Sequence, residues 1–147
     1  MTTKIIIVLC GTSKSGKTTY RNSIKNKYTI INSDTIRLQL TGTTALTNKE
    51  NEVWSIFNSQ KKLALSKEEN IILDACHITP QARWHAIQDT NGYIKICILF
   101  DISLKTIKER TKEKWAIDMW KIFNRSKPNK IELLREGFDK VVIIKDK

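Results

Sequence analysis

The sequence predicts an α/β protein, a parallel sheet flanked by helices, and three observations carry that expectation. Short β-branched apolar runs alternate along the chain with helix-length segments of mixed polarity. The first run ends in a glycine-bearing loop that leads straight into a helix-compatible segment. Later runs close on Asn32-Ser33-Asp34 and on Asp74, at the strand ends where open parallel sheets gather ligand residues.

Ile5 to Cys10 reads as a buried parallel strand. Gly11-Thr-Ser-Lys-Ser-Gly-Lys-Thr18 then matches G-x-x-x-x-G-K-(S/T) without a mismatch. Each residue type has a chemical reason. Gly11 and Gly16 allow backbone angles that turn the N–H groups of Thr12, Ser13, Lys14 and Ser15 inward around a phosphate. The helix that follows points its positive end at the same anion. Lys17 reaches the β- and γ-phosphates of a nucleoside triphosphate, and the Thr18 hydroxyl ligates Mg²⁺. Lys14 and Thr19 lie in or beside the loop, but the pattern does not demand their types. The stretch predicts a triphosphate site that uses ATP and Mg²⁺.

The remaining elements follow in order. Thr18 to Asn26 is the first helix, and Tyr28 to Asn32 a second strand. Asp34-x-x-Arg37 comes next, at the carboxyl end of that strand. Either Asp34 accepts a proton from an acceptor hydroxyl while Arg37, one helical turn on, holds an anion, or Ser33 and Asp34 cap a helix and Arg37 pairs locally. Thr41 to Thr47 is a polar loop, and Thr47-x-x-Glu50 resembles a capping box. Val53, Ile56, Phe57, Lys61, Ala64 and Leu65 keep mostly helical spacing to about Ser66, with Trp54 beside the stripe and expected in the core rather than stacking on a base.

Asn70 to Asp74 is a third buried strand. Asp74 is either a strand-end cap or the carboxylate that orients Mg²⁺ through water. Thr79-Pro80 gives an N-cap and a proline at the first helical position, for a helix reaching about Thr90. Arg83 on it faces either an acceptor or solvent, and His77 and His85 read as polar surface residues. Tyr93 to Asp101 is a fourth strand. Ser103 opens a helix to Lys114 rich in cations, either a solvated face or a lid over the γ-phosphate. Trp115 to Asn124 is a second helical piece with Ile117, Trp120 and Ile122 available for packing, and Trp115 and Trp120 are expected to pack in the core or lid rather than stack on a base. After Pro128 a last helix, from about Asn129, leads through Glu136-Gly-Phe-Asp139 to the strand Val141 to Ile144.

With 147 residues and 40% hydrophobic content, the chain suits one folded domain spanning 1–147. No apolar run approaches membrane-spanning length, and Met1-Thr-Thr-Lys enters the first strand directly. The expectation is a cytoplasmic protein with no membrane contact, in its own cell or a host's, with its oligomeric state open. Cys10, Cys76 and Cys97 fit neither a zinc site nor a disulfide framework, and read as buried reduced thiols. The net charge of +11 fits a polyanionic partner or a plain lysine-rich surface. Abundant Lys, Ile and Asn also fit an AT-rich coding sequence, which raises lysine content without any function.

Taken together, Gly11 to Thr19, Asp34-x-x-Arg37, Ile71-Ile-Leu-Asp74 with Thr79-Pro80, and Glu109-Arg110 with Glu136-Gly-Phe-Asp139 resemble the 5′-hydroxyl polynucleotide kinase domain of phage and bacterial end-repair enzymes. The resemblance covers nearly the whole chain. It implies a P-loop kinase fold with a helical lid, and transfer of the ATP γ-phosphoryl group to the 5′-OH of DNA or RNA. It further implies that Lys17 and Thr18 serve ATP and Mg²⁺, that Asp34 is the general base, and that Arg37 grips the 3′-phosphate beside the acceptor hydroxyl. Arg110 belongs to the lid and to the ATP site. Asp34, Arg37, Asp74 and Arg83 are the acceptor-side candidates, and basic side chains across the front hold the acceptor backbone in a salt-sensitive way.

Two departures stand out. Where the family often has a second lid arginine, four residues after the first, this chain has Lys114, which supplies charge without the planar fork. No D-x-D-G-(T/V) phosphatase signature is present, so removal of 3′-phosphates is not expected. Two rival readings remain: a small-molecule P-loop kinase for a nucleoside or metabolite, and a nucleotide-dependent switch without transfer activity.

Overall fold

In the computed structural model, which describes residues 3–146, five strands form one parallel sheet in the order β2-β3-β1-β4-β5. The strands are β1 (Lys4–Cys10), β2 (Thr29–Asn32), β3 (Ile71–Asp74), β4 (Tyr93–Asp101) and β5 (Lys140–Lys145). Between them run α1 (Lys17–Ile24), α2 (Ser33–Thr41), α3 (Glu50–Ser66), α4 (Pro80–Ile87), α5 (Leu104–Arg110), α6 (Lys114–Ser126) and α7 (Lys130–Glu136). The predicted parallel α/β architecture is the one observed. Met1 and Thr2, part of the basis for expecting no leader, lie outside the described residues.

Alternation along β1 explains the two-layered core. Ile6, Val8 and Cys10 face one side, with Ile36, Val53, Phe57 and Leu133 packed over them. Ile7 and Leu9 face the other, under Ile107 with Tyr20, Ile117 and Trp120. A strand buried on both faces must be apolar throughout, and each fully buried Ile or Leu contributes about 1.5–3 kcal/mol. Register then sets the site. Asn32 lies opposite Asp74, and Val8 opposite Leu73, so β1, β2 and β3 end at one edge of the sheet.

Local chemistry departs from expectation at three places. The cap of α2 is Asn32, whose Oδ1 accepts from the Thr35 N–H at 2.7 Å; Ser33 and Asp34 are already helical. Thr47-x-x-Glu50 does not form a capping box. α3 begins at Glu50 with no side-chain cap, and only the Thr47 N–H to Glu50 half of the motif is present, at 3.3 Å. The box that does form is Asn129 with Glu132, at the start of α7. The cationic helix stops at Arg110 instead of Lys114, and residues 111–113 are extended before α6 starts. Thr79 caps α4 ahead of Pro80 as predicted, its Oγ1 accepting from Ala82 N–H at 3.1 Å.

Candidate active site

A cleft of about 1800 Å³ crosses the carboxyl edge of the sheet, with the loop 11–16 at its centre. The two loop glycines do different work. Gly16 has φ +105°, a left-handed conformation suited to glycine. The other left-handed residue of the loop is Lys14, at φ +68°, whereas Gly11 is needed for space. A Cβ there would sit 2.8 Å from Ser15 Oγ and 2.9 Å from Phe100 Cβ. The Gly11 N–H donates to the Cys76 carbonyl at 2.9 Å, tying the loop to the end of β3.

Lys17 folds its ammonium back over the loop, donating to the carbonyls of Gly11 at 2.7 Å and Thr12 at 2.9 Å. Thr12 and Ser15 are buried, and Ser15 Oγ has no hydrogen-bond partner among the described residues. An orphaned buried hydroxyl costs about 1–3 kcal/mol unless a ligand supplies its partner. With a cation held in place and a helix N-terminus behind it, the loop fits a polyphosphate. Ser13, Thr18 and Thr19 also line the cleft. Arg110, from the end of α5, donates from Nη1 to the Lys14 carbonyl at 2.8 Å, so this arginine rests on the loop tip.

Asp74 is buried at the end of β3. Its Oδ2 accepts from Asn32 Nδ2 at 2.7 Å and from Arg21 Nη1 at 2.8 Å. Arg21 did not stand out in the sequence, although it lies one helical turn after Lys17 and on the same face.

The far end of the cleft is built by α2 and α3. Asp34 is mostly exposed, while the Arg37 side chain is only 9% exposed. Arg37 donates from Nη1 to Asp34 Oδ1 at 2.9 Å. Its Nε and Nη2 donate to the Glu50 carboxylate at 2.8 to 3.2 Å. Three of the five guanidinium N–H groups are thereby engaged, leaving one on each terminal nitrogen for an anion. The hydrogen bond from Arg37 holds the Glu50 carboxyl below the usual range, and Glu50 in turn raises Arg37. Glu50 is thus the partner of Arg37, a pairing that the capping pattern had concealed.

Several predicted residues lie elsewhere. Arg83 faces neither acceptor nor solvent: it is 1% exposed and forms a fork with Glu136, Nε at 2.7 Å and Nη2 at 2.9 Å. Its position follows from α4 packing its Arg83 and Ala86 face onto the core. Lys114 is not one helical turn beyond Arg110, because residues 111–113 break the helix. Its side chain is 92% exposed, with its ammonium 3.9 Å from Asp118. His77 is buried, not on the surface, with Nδ1 donating to the Leu9 carbonyl at 2.8 Å; burial pushes it down to about 4. Trp54 is in the cleft wall, 37% exposed, rather than in the core. Trp120 packs as expected and donates to the Ile102 carbonyl at 2.7 Å, whereas Trp115 is exposed in the cleft. Cys10 and Cys97 are buried free thiols, while Cys76 is half-buried, its Sγ 3.8 Å from the Lys17 ammonium.

The basic surplus is not spread across the whole front. Residues 33–92 hold six Lys and Arg against seven Asp and Glu. The cations on the cleft wall built by α2 and α3, Arg37 and Lys61, are engaged internally. Lys61 donates to the carbonyls of His85 and Gln88 at 3.0 and 3.2 Å, and burial lowers it to about 8.

The AAA domain family matches residues 6–121, which contain the loop, Asp34, Arg37, Asp74 and Arg110. The chain belongs to that family. It is 29% identical to the "Putative bifunctional polynucleotide kinase/RNA ligase" of Autographa californica nuclear polyhedrosis virus, over 73% of this chain and 18% of that protein. Its fold superposes on a chain of the Pnkp1/Rnl/Hen1 RNA repair complex with a TM-score of 0.70 at 20% identity, covering 95% of this chain and 47% of the other. It also superposes on a gluconokinase from Sinorhizobium meliloti 1021, with a TM-score of 0.59 at 16% identity, covering 99% and 84%. The chain therefore has a P-loop kinase fold and spans less than half the length of the viral relative and of the repair-complex chain. The resemblance drawn from the motifs is found again in these comparisons. Among the described residues, no helix is long and apolar enough to cross a membrane.

Proposed function

We propose that this chain transfers the γ-phosphoryl group of ATP to the 5′-OH end of DNA or RNA. The observation that carries the reading is the pairing of an exposed carboxylate, Asp34, with a buried arginine that keeps two N–H groups free, in the same cleft as the phosphate loop. A base beside an anion grip suits a hydroxyl that has a phosphate on its own sugar. The viral polynucleotide kinase/RNA ligase supports the same acceptor class.

In this mechanism the acceptor 5′-oxygen attacks the γ-phosphorus while the bond from that phosphorus to the β,γ-bridging oxygen breaks and ADP departs. Asp34 takes the hydroxyl proton, and Arg37 fixes the acceptor through its 3′-phosphate. Lys17 and the loop N–H groups neutralise the triphosphate, and Arg110 meets the charge that develops on the transferring group. Mg²⁺, when bound, would supply Lewis-acid neutralisation of the charge on the triphosphate. The Thr18 hydroxyl would hold it, with Asp74 acting through water. Among the described residues no cluster of three His, Cys, Asp or Glu side chains suits a metal, which fits an ion held mainly by the nucleotide.

The test offers γ-labelled ATP and Mg²⁺ with 5′-OH oligonucleotides in competition with nucleosides and gluconate. Label on the oligonucleotide, undiminished by excess small acceptor, is the expected result. Label on a small acceptor alone would replace the proposal with a metabolite kinase.

A further inference from the structure

We propose that the acceptor end of the cleft selects the terminal nucleoside by its base, seated against Trp54, rather than by the charge of the strand behind it. This inference rests on the polynucleotide reading and makes it more specific.

Trp54 projects from the first turns of α3 into the cleft, on the element that supplies Glu50. Its ring leans on Phe57, with centroids 5.0 Å apart and planes at 57°, so the core braces it from beneath. The Arg37 guanidinium carbon lies 5.8 Å from the indole centroid. A flat apolar surface thus sits beside the anion grip, within the span of one nucleotide. The connecting loop lines the same end through Thr43 to Leu46, and Leu46 is 80% exposed. A leucine this open in a cleft wall, next to a half-open indole, suits an apolar ligand face.

The charge distribution excludes the usual alternative. A groove that follows a nucleic-acid backbone presents unpaired cations along its length. Here Arg37 is committed to Glu50 and Asp34, and Lys61 to two carbonyls. Lys49, Lys62 and Lys67 are exposed but do not line the cleft. The exposed cations that do line the cleft, Lys14, Arg110 and Lys145, belong to the phosphate loop and the ends of α5 and β5, so what remains at this end is one anion grip and one apolar wall. The ligand that matches is a nucleobase with its own 3′-phosphate. Since every base has a π-face, the preference tolerates any sequence.

The experiment compares two 5′-OH oligonucleotides, one normal and one with an abasic sugar at the 5′ end that keeps the hydroxyl and the 3′-phosphodiester. Stacking of about 1–3 kcal/mol per base predicts that wild type shows roughly a tenfold or larger rise in KM for the abasic acceptor. Trp54→Leu should raise KM for the normal acceptor to that level, leave the abasic acceptor unchanged, and spare kcat and the KM for ATP. Trp54→Phe should restore most of the difference. With one phosphate gripped, log(kcat/KM) should fall with log salt at a slope of about −0.7.

Three outcomes would overturn the proposal. Wild type could ignore the missing base. Trp54→Leu could weaken both acceptors equally, which would make the indole only a prop for Arg37. The salt slope could reach about −3 or steeper, which would put the selection in strand charge. A wild-type protein that labels neither oligonucleotide would instead overturn the polynucleotide reading itself, and with it this one.

Discussion

The two ends of the cleft are made of different materials. The proposed donor end is largely backbone: a loop with Lys14 and Gly16 in left-handed conformations, a lysine held by two carbonyls, and a helix N-terminus. The proposed acceptor end is largely side chain: Asp34, Arg37, Glu50 and Trp54, brought together from α2 and α3 across a loop of eight residues. A backbone site binds whatever has phosphates. A side-chain site decides what else is admitted, and it can be retuned by single substitutions.

The sharpest way to break this contrast is at Lys17. Lys17→Ala should lower phosphoryl transfer by about 10³-fold for every acceptor tested, since it removes charge from the donor end alone. An acceptor-dependent loss in steady-state assays would mean that the two ends are not separate.

Next in size is the ion pair beneath the site. Arg83→Ala leaves Glu136 without its fork partner against the core and should cost about 3–5 kcal/mol in urea unfolding. The acceptor KM, measured at low temperature on the folded fraction, should not move. A selective KM effect would return Arg83 to the acceptor site.

The acid limb of stability follows from His77. Burial lowers its folded value to about 4, against an ordinary 6.5, so the unfolded chain binds more protons between those values. Stability from this group is fully present above about pH 6.5 and falls by about 3 kcal/mol as pH drops toward 4. His77 has φ +48°, which asparagine tolerates, so His77→Asn should flatten urea midpoints measured from pH 7 to pH 4.5. The smallest effect is expected at Lys114. Lys114→Ala should change turnover less than about twofold, as for an exposed lysine outside the cleft. Arg110→Ala, removing the residue docked on the loop, should lower turnover by about tenfold or more.

The same contrast explains what could be read in advance. The sheet, its order of elements and the donor end were legible because they depend on local patterns: apolar runs, a fixed glycine spacing, a Thr-Pro cap. The pairing of Asp34 with Arg37 was legible because they share one helical turn. That Glu50 meets Arg37 and that Trp54 lines the cleft were hidden, since both depend on how a loop of uncertain path returns α3 to α2. Arg83 and Glu136 are 53 residues apart, and nothing local signals that α4 and α7 meet. Lys114 was misplaced because a run of lysines and glutamates does not show where its helix stops. The extended residues 111–113 decide that Arg110 docks on the loop while Lys114 points away.

The measurement that tests the account most directly separates binding from transfer at Asp34. ATP affinity and single-turnover labelling of a 5′-OH oligonucleotide would be measured for wild type and Asp34→Asn. The account predicts unchanged ATP affinity with labelling slower by about 10²–10⁴-fold, as for loss of a general base. Labelling at the wild-type rate in Asp34→Asn would contradict it, and would remove the acceptor end from the chemistry.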